Sequence, residues 1–152
     1  MSDNDTKIIN HSITRLLARR EHSKSEIMTK LLSKGYDAEL VKQELALFVE
    51  KNIQSDERFV EVYIRSKMQK GHGKKRIKMS LSQHDIDENL IESGFAATDD
   101  SFFDTVIVVY QKKYGDKPIA DWKDKQKRMR FLQYRGFTAE QINVAIAQKI
   151  DE

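Results

Sequence analysis

The chain has no cysteine and one proline, Pro118, and its 152 residues include only six glycines and one tryptophan. Without thiols there is neither a disulfide frame nor thiolate chemistry, which suits a reducing compartment. With so few breakers, long helices are seldom interrupted. No apolar run approaches the roughly 20 residues of a membrane span, and the opening MSDNDTKIIN lacks the basic-then-apolar layout of a signal peptide. A soluble cytoplasmic protein is expected. Neither sign of charge dominates: 27 Lys and Arg against 24 Asp and Glu leave +3, so attraction to polyanions must come from local clustering. Apolar residues are also scarce, at 39% beside 34% charged, against about 45–50% and about 25% in an average domain. The core must be thin, which favours an elongated or modular shape over one sphere.

What the chain does have is helical periodicity. Ile9, Ile13, Leu16 and Leu17 form one apolar stripe, Ile27, Leu31 and Leu32 a second, and Leu40, Val41, Leu45, Phe48 and Val49 a third. Ser23 to Glu26 reads as a capping box, Asp37 as an N-cap, and Thr138 with Gln141 as a second box. Gly35 and Gly136 stand where left-handed helix stops belong. The β-branched TVIVVY, 105–110, invites a strand. However, Phe102, Phe103, Val106, Ile107, Tyr110 and Tyr114 keep three- and four-residue spacing behind an Asp99-Asp100-Ser101 start, and a lone strand would lack a partner.

The sequence also repeats itself. Ile27, Leu31, Tyr36, Leu40 and Val41 recur at a shift of 50 as Ile77, Leu81, Ile86, Leu90 and Ile91. Lys34-Gly35-Tyr36, Val41 and Leu45 recur at a shift of 101 as Arg135-Gly136-Phe137, Ile142 and Ile146. Generic helix–turn–helix patterns align by chance, but a glycine–aromatic pair followed by matched apolar positions favours true repetition. The expected fold is all-α, an elongated array of three tandem three-helix repeats at 1–54, 55–98 and 99–152. Each unit is near the lower size limit for independent folding, so neighbours should share apolar surface. In the middle copy His84-Asp85 replaces the glycine turn, and a strained left-handed Asp85 is expected.

Enzymatic constellations are missing. His11, His22, His72 and His84 have no metal-ligand spacing and read as surface or capping residues. GHGKK, 71–75, is not a phosphate loop, because GxxxxGK[ST] and a preceding buried strand are absent. No nucleophile elbow frames a serine, and most carboxylates sit at helix starts or opposite bases. No catalytic residue, metal or cofactor is expected.

Cations remain. Arg65, Lys67, Lys70, Lys74, Lys75, Arg76 and Lys78 lie in a stretch without an acid, hinged by Gly71 and Gly73. Lys74, Lys75 and Arg76 crowd a helix N-terminus, where they oppose the dipole, and that points to an external anion. Lys123, Lys125, Lys127, Arg128 and Arg130 form a second cluster, and Arg15, Arg19, Arg20 and Lys24 a third. Stacked repeats would align the three as a basic stripe; a merely solvated charged face is the plainer alternative. Fitting partners are nucleic acid, an acidic protein groove, or a filament offering both. Lysine-rich clusters mainly contact phosphate and carry little base information. Tyr63, Trp122 and Tyr134 read as core residues, too few for a stacking platform.

Three segments, LLARREHSKSEIMTKLLSKGY (16–36), YIRSKMQKGHGKKRIKMSL (63–81) and RMRFLQYRGFTAEQI (128–142), carry Arg19-Arg20-Glu21-His22-Ser23, Tyr63-x-Arg65, Gly71-x-Gly73 and Arg135-Gly136-Phe137. In order, they resemble the three repeats of the bacterial RecX regulatory proteins over nearly the whole chain. His84-Asp85 departs from the usual basic–glycine pair, and Lys74 stands where a proline often follows. The resemblance implies a helical repeat protein, not an enzyme, that binds RecA filaments on single-stranded DNA and restrains ATP hydrolysis, strand exchange and the co-protease reaction. It also implies some contact with DNA itself. The partners then expected are a RecA filament and single-stranded DNA, direct or through the filament, and no membrane; the chain is expected to be a monomer. Arg65, Lys67, Lys70, Lys74, Lys75 and Arg76 are the first contacts expected. A general nucleic-acid-binding helical module acting without a recombinase is the other reading.

Overall fold

The computed structural model describes residues 3–98 and 102–148. Every regular element in it is a helix: α1 (Asp3–Arg19), α2 (Lys24–Ser33), α3 (Ala38–Glu50), α4 (Asp56–Gln69), α5 (Lys74–Ser82), α6 (Glu88–Ala97), α7 (Phe102–Tyr114), α8 (Trp122–Tyr134) and α9 (Ala139–Gln148). TVIVVY is helical, within α7. The Asp99-Asp100-Ser101 start lies outside the described residues.

Local chemistry sets the ends. Ser23 Oγ accepts from the Glu26 amide while the Glu26 carboxylate accepts from the Ser23 amide, closing the capping box. Asp37 caps α3, and Thr138 and Gln141 exchange the same reciprocal pair before α9. The turns after α2, α5 and α8 pass through left-handed residues, Gly35 (φ 89°), Asp85 (φ 57°) and Gly136 (φ 99°). Asp85 therefore keeps the turn its neighbours make with glycine, at a cost of about 1 kcal/mol.

The helices group by threes, α1–α3, α4–α6 and α7–α9, but the apolar interior does not divide in three. Ile9, Ile13, Ile27, Leu31, Val41, Leu45 and Phe48 form one core inside the first repeat. A second, larger core runs unbroken through the other two repeats, from Phe59 and Ile64 through Ile77, Leu81 and Ile91 to Val106, Tyr110, Leu132 and Ile142. Nearly all the matched apolar positions are buried; Leu32 and Val49, counted in the stripes, lie at the edges and stay more than a third exposed. Accessible surface is 9918 Å², about a quarter above the roughly 8,000 Å² of a compact monomer of this mass. Two cores in sequence, not one sphere, account for that excess.

The two joints between repeats differ. Repeat 1 meets repeat 2 through polar contacts: Arg58 Nε donates to Glu21 (3.0 Å), Gln54 Nε2 to Asp56 (2.9 Å), and the Lys24 amide to Asp56 (2.9 Å). Repeats 2 and 3 meet through the shared core and through backbone. The Gly73 amide donates to the Arg135 carbonyl (2.7 Å) and the Lys75 amide to the Gly136 carbonyl (3.3 Å). Gly73 and Gly136 press so closely that a Cβ on either would lie within 2.6 Å of the other segment's backbone. Gly73 is a lock between repeats and not the hinge its sequence suggests; its φ of −85° is ordinary, so it is close approach that demands glycine here.

Candidate anion-binding surface and groove

The α4–α5 turn carries the densest cations. It stands against the α8–α9 turn, and this brings together residues far apart in sequence. His72 sits in the middle, its pKa pushed down to about 4 by burial first and then by the charges of Arg76, Lys67, Arg135 and Lys70. One neutral imidazole is thus ringed by four cations drawn from two repeats. Arg135, not anticipated as a site residue, also donates to the Lys70 carbonyl (3.4 Å). The signal was in the sequence as Arg135-Gly136-Phe137, but no one-dimensional spacing places it beside residue 70.

Helix α5 starts without a side-chain cap and without an acid in its first turn. In the sequence, Lys74, Lys75 and Arg76 crowding this N-terminus point to an external anion. Its Gly73 and Lys75 amides already donate to the Arg135 and Gly136 carbonyls, the negative end of α8 facing the positive end of α5. The exposed side chains of Lys74, Lys75 and Arg76 point past this lock. Lys74 Nζ lies over the Phe95 ring (5.1 Å) and Lys67 Nζ over Tyr63 (5.3 Å). Lys78 is tied to Glu92 (2.7 Å) as a strut between α5 and α6. Among the described residues Arg65, Lys70, Lys75, Arg76, Lys125, Lys127 and Arg130 are exposed and enter no ion pair.

Three expectations need correction. Arg128 is not a surface cation: it is 2% exposed. Its guanidinium donates to Tyr110 Oη (2.8 Å), to the carbonyls of Lys117 (3.0 Å) and Pro118 (3.1 Å), and to Asp124 (3.1 Å), and it stacks 4.4 Å from the Tyr114 ring. It pins the α7–α8 connection and leaves the anion-binding set. Trp122 and Tyr134 are not core residues, at 72% and 86% exposed. Tyr134 ends a row with Lys123, Lys127 and Arg130, spaced along one exposed face of α8. His22 is no surface residue either: it is buried between the Arg20 carbonyl and Lys30 Nζ. A carbonyl only accepts and an ammonium only donates, so the ring is neutral with its proton on Nδ1; burial, above all, lowers its pKa.

In repeat 1, Arg19 is exposed, but Arg20 closes on Glu26 (2.9 Å) and the Glu21 carbonyl (2.7 Å). The Arg19 to Ser23 segment thus serves mainly as helix cap and repeat joint.

Beside the cation ring a groove of about 840 Å³ opens between α4, α7 and the end of α8. Met68, Val108, Val109 and Phe131 make it apolar, and Arg65, Lys70, Lys112, Lys113 and Arg135 line it with charge. Lys112 and Lys113 are additions to the sequence-based set. They stand in the last turn of α7, and the packing of α7 against α4 brings them to the same groove as Arg65.

Family models for the first, second and third three-helix domains of RecX match residues 13–46, 55–94 and 99–146 in that order. The chain belongs to the RecX family. Among its relatives is the regulatory protein RecX of Vibrio vulnificus, 34% identical over 98% of this chain and 94% of that one. The regulatory protein RecX of Neisseria meningitidis is 39% identical over 90% and 88%. The crystal structure of RecX from Lactobacillus salivarius superposes with a TM-score of 0.81 over 98% of this chain and 99% of that chain at 20% identity, a likeness of fold. Among the described residues no three metal-ligating side chains cluster, and no helix is long and apolar enough to cross a membrane.

Proposed function

We propose that the chain is a cytoplasmic, monomeric regulatory protein that binds RecA filaments on single-stranded DNA and inhibits their recombinase, ATPase and co-protease activities. The observation that carries this reading is the α4–α5 turn locked by backbone to the α8–α9 turn, which gathers Lys67, Lys70, Arg76 and Arg135 around His72 beside exposed Lys74 and Lys75, in a chain of the RecX family. Positive charge held at a packed joint is pre-organised in its backbone for a large anionic partner, so that only side-chain ordering is left to offset on binding. Arg65, Lys125, Lys127, Arg130 and Arg19 extend the contact set, and Lys78 and Arg20 follow with less weight because Glu92 and Glu26 already hold them.

The test is a titration into RecA filaments on single-stranded DNA with RecA in excess, recording ATP hydrolysis. Inhibition at substoichiometric ratios is expected. Replacing Lys74, Lys75 and Arg76 together by Gln should weaken it about tenfold or more, as loss of several phosphate or carboxylate contacts does, with helicity unchanged. Absence of inhibition even at stoichiometric excess would remove the filament reading.

A second reading, a general nucleic-acid-binding module, is favoured by the row of Lys123, Lys127, Arg130 and Tyr134 along α8. It predicts tight, steeply salt-dependent binding to naked DNA, whereas the filament reading needs only weak binding there.

A further inference from the structure

The groove between α4, α7 and the end of α8 has the makeup of a peptide site more than of a phosphate site. Its apolar surface is aliphatic: Val108 stands 63% exposed on α7, beside Val109 and Met68. An aliphatic floor offers nothing to a phosphate or to a base edge. The one ring in the groove, Phe131, is already covered. Lys113 Nζ lies 4.5 Å and the Arg135 guanidinium 5.1 Å from its centroid, and Tyr114 meets it edge-on. A base stacking there would have to displace both cations. Five cations line the groove against one acid, Asp104. A solitary valine of that exposure is unremarkable by itself; set in a concave, positively lined groove it marks where an apolar side chain gains most by docking.

We infer that this groove binds an acidic segment of a partner protein, with apolar side chains seated on Val108, Val109 and Met68 and flanking carboxylates held by Arg65, Lys112 and Lys113. Carboxylate recognition at the rim gives encounter and register, and the aliphatic floor gives residence time. The inference rests on the proposed function only in taking the partner to be a protein. It gives that regulator a second contact, sharing Lys70 and Arg135 with the cation ring, that reads side chains instead of charge alone.

The experiment is selection of short random peptides displayed on phage against the full chain, with Val108→Glu as counter-selection. Val108 is exposed, so this variant should keep the fold, which circular dichroism checks. Enriched peptides are expected to pair Asp or Glu with Leu, Ile or Phe. A synthetic enriched peptide should lose about tenfold in affinity on Val108→Glu and roughly threefold on Lys112→Glu. Lack of enrichment over the counter-selected variant would overturn the inference, as would enriched peptides without acidic residues. Displacement of the peptide by oligothymidylate, with loss of oligothymidylate binding in Val108→Glu, would reassign the groove to nucleic acid. None of these arms contains RecA, so a failed selection leaves the filament reading standing, and a failed ATPase titration leaves the groove standing.

Discussion

Removing the Arg128 guanidinium would strand the buried Tyr110 hydroxyl and two backbone carbonyls that it now satisfies. Arg128→Met keeps volume but supplies no donor, and a loss of roughly 3 kcal/mol is expected. Arg128→Lys should recover only part of it, because an ammonium cannot reproduce the planar fork; urea midpoints for the three proteins decide this. In sequence Arg128 looked like its neighbours Lys127 and Arg130. What separates them is angular position on α8, legible only once Leu132, one turn on, is known to face the core. His72 gives a second residue-scale prediction. The unfolded chain takes up its proton near 6.5, the folded protein only at about 4. Between these values the unfolded state binds more protons, so stability is full above pH 6.5 and declines as pH falls toward 4, with no further loss below. The side chain is partly solvated, so the effect is on the order of 1 kcal/mol. Denaturant midpoints measured across that window should fall less steeply for His72→Gln than for the parent; equal slopes would clear His72 of the effect. His22, lowered in the same direction, adds to the slope in both proteins.

Among elements, the α5 and α8 ends form a joint that tests why a glycine is where it is. Gly35 and Gly136 occupy equivalent turns with similar φ, 89° and 99°. A Cβ on Gly35 meets nothing within 4 Å, whereas one on Gly136 meets the Arg76 amide at 2.6 Å. Gly35→Ala should therefore cost about 1 kcal/mol, the strain of the left-handed backbone alone. Gly136→Ala should cost about 3 kcal/mol, because neither backbone can withdraw, and Gly73→Ala should do the same without any positive φ. Thermal melts of the three variants give the comparison, and a Gly73→Ala protein as stable as the parent would mean that the joint opens freely. Element identity was legible almost throughout, since caps and three- and four-residue spacing are local properties: Ser23, Asp37 and Thr138 all cap as their neighbours imply. The joint was not legible. Gly73 carries an ordinary φ, so nothing in its own segment says that a second backbone lies against it, and the ring of Lys67, Lys70 and Arg76 could not be completed with Arg135 until the turns were placed side by side.

At the scale of the whole molecule, three sequence repeats enclose two apolar cores. The repeat pattern records which positions face inward, but not toward which neighbour they face. Phe59, Val60, Val106 and Tyr110 belong to one continuous core, so α4 to α6 cannot be solvated on the side of α7 without exposing that interior. Repeat 1 encloses its own seven buried apolar residues and meets the rest through Glu21, Lys24 and Gln54 on its side and Asp56 and Arg58 on the other. A fragment of residues 55–152 should then fold alone with one sharp transition. A fragment of residues 1–98 should not hold its second repeat, because half of the shared core has been cut away. Residues 1–54 alone lie below the size at which a core without disulfides or metal is usually self-sufficient, and they should be marginal. Hydrogen exchange on the 1–98 fragment gives the sharpest reading: amides of α4 and α5 should exchange with little protection while those of α3 keep some. Equal protection across α3 and α4 would mean that repeat 2 carries a core of its own. The cation ring and the groove would then no longer depend on repeat 3 to hold α4 in place, and the coupling between fold and binding surface argued from Gly73, Gly136 and Arg135 would fail with it.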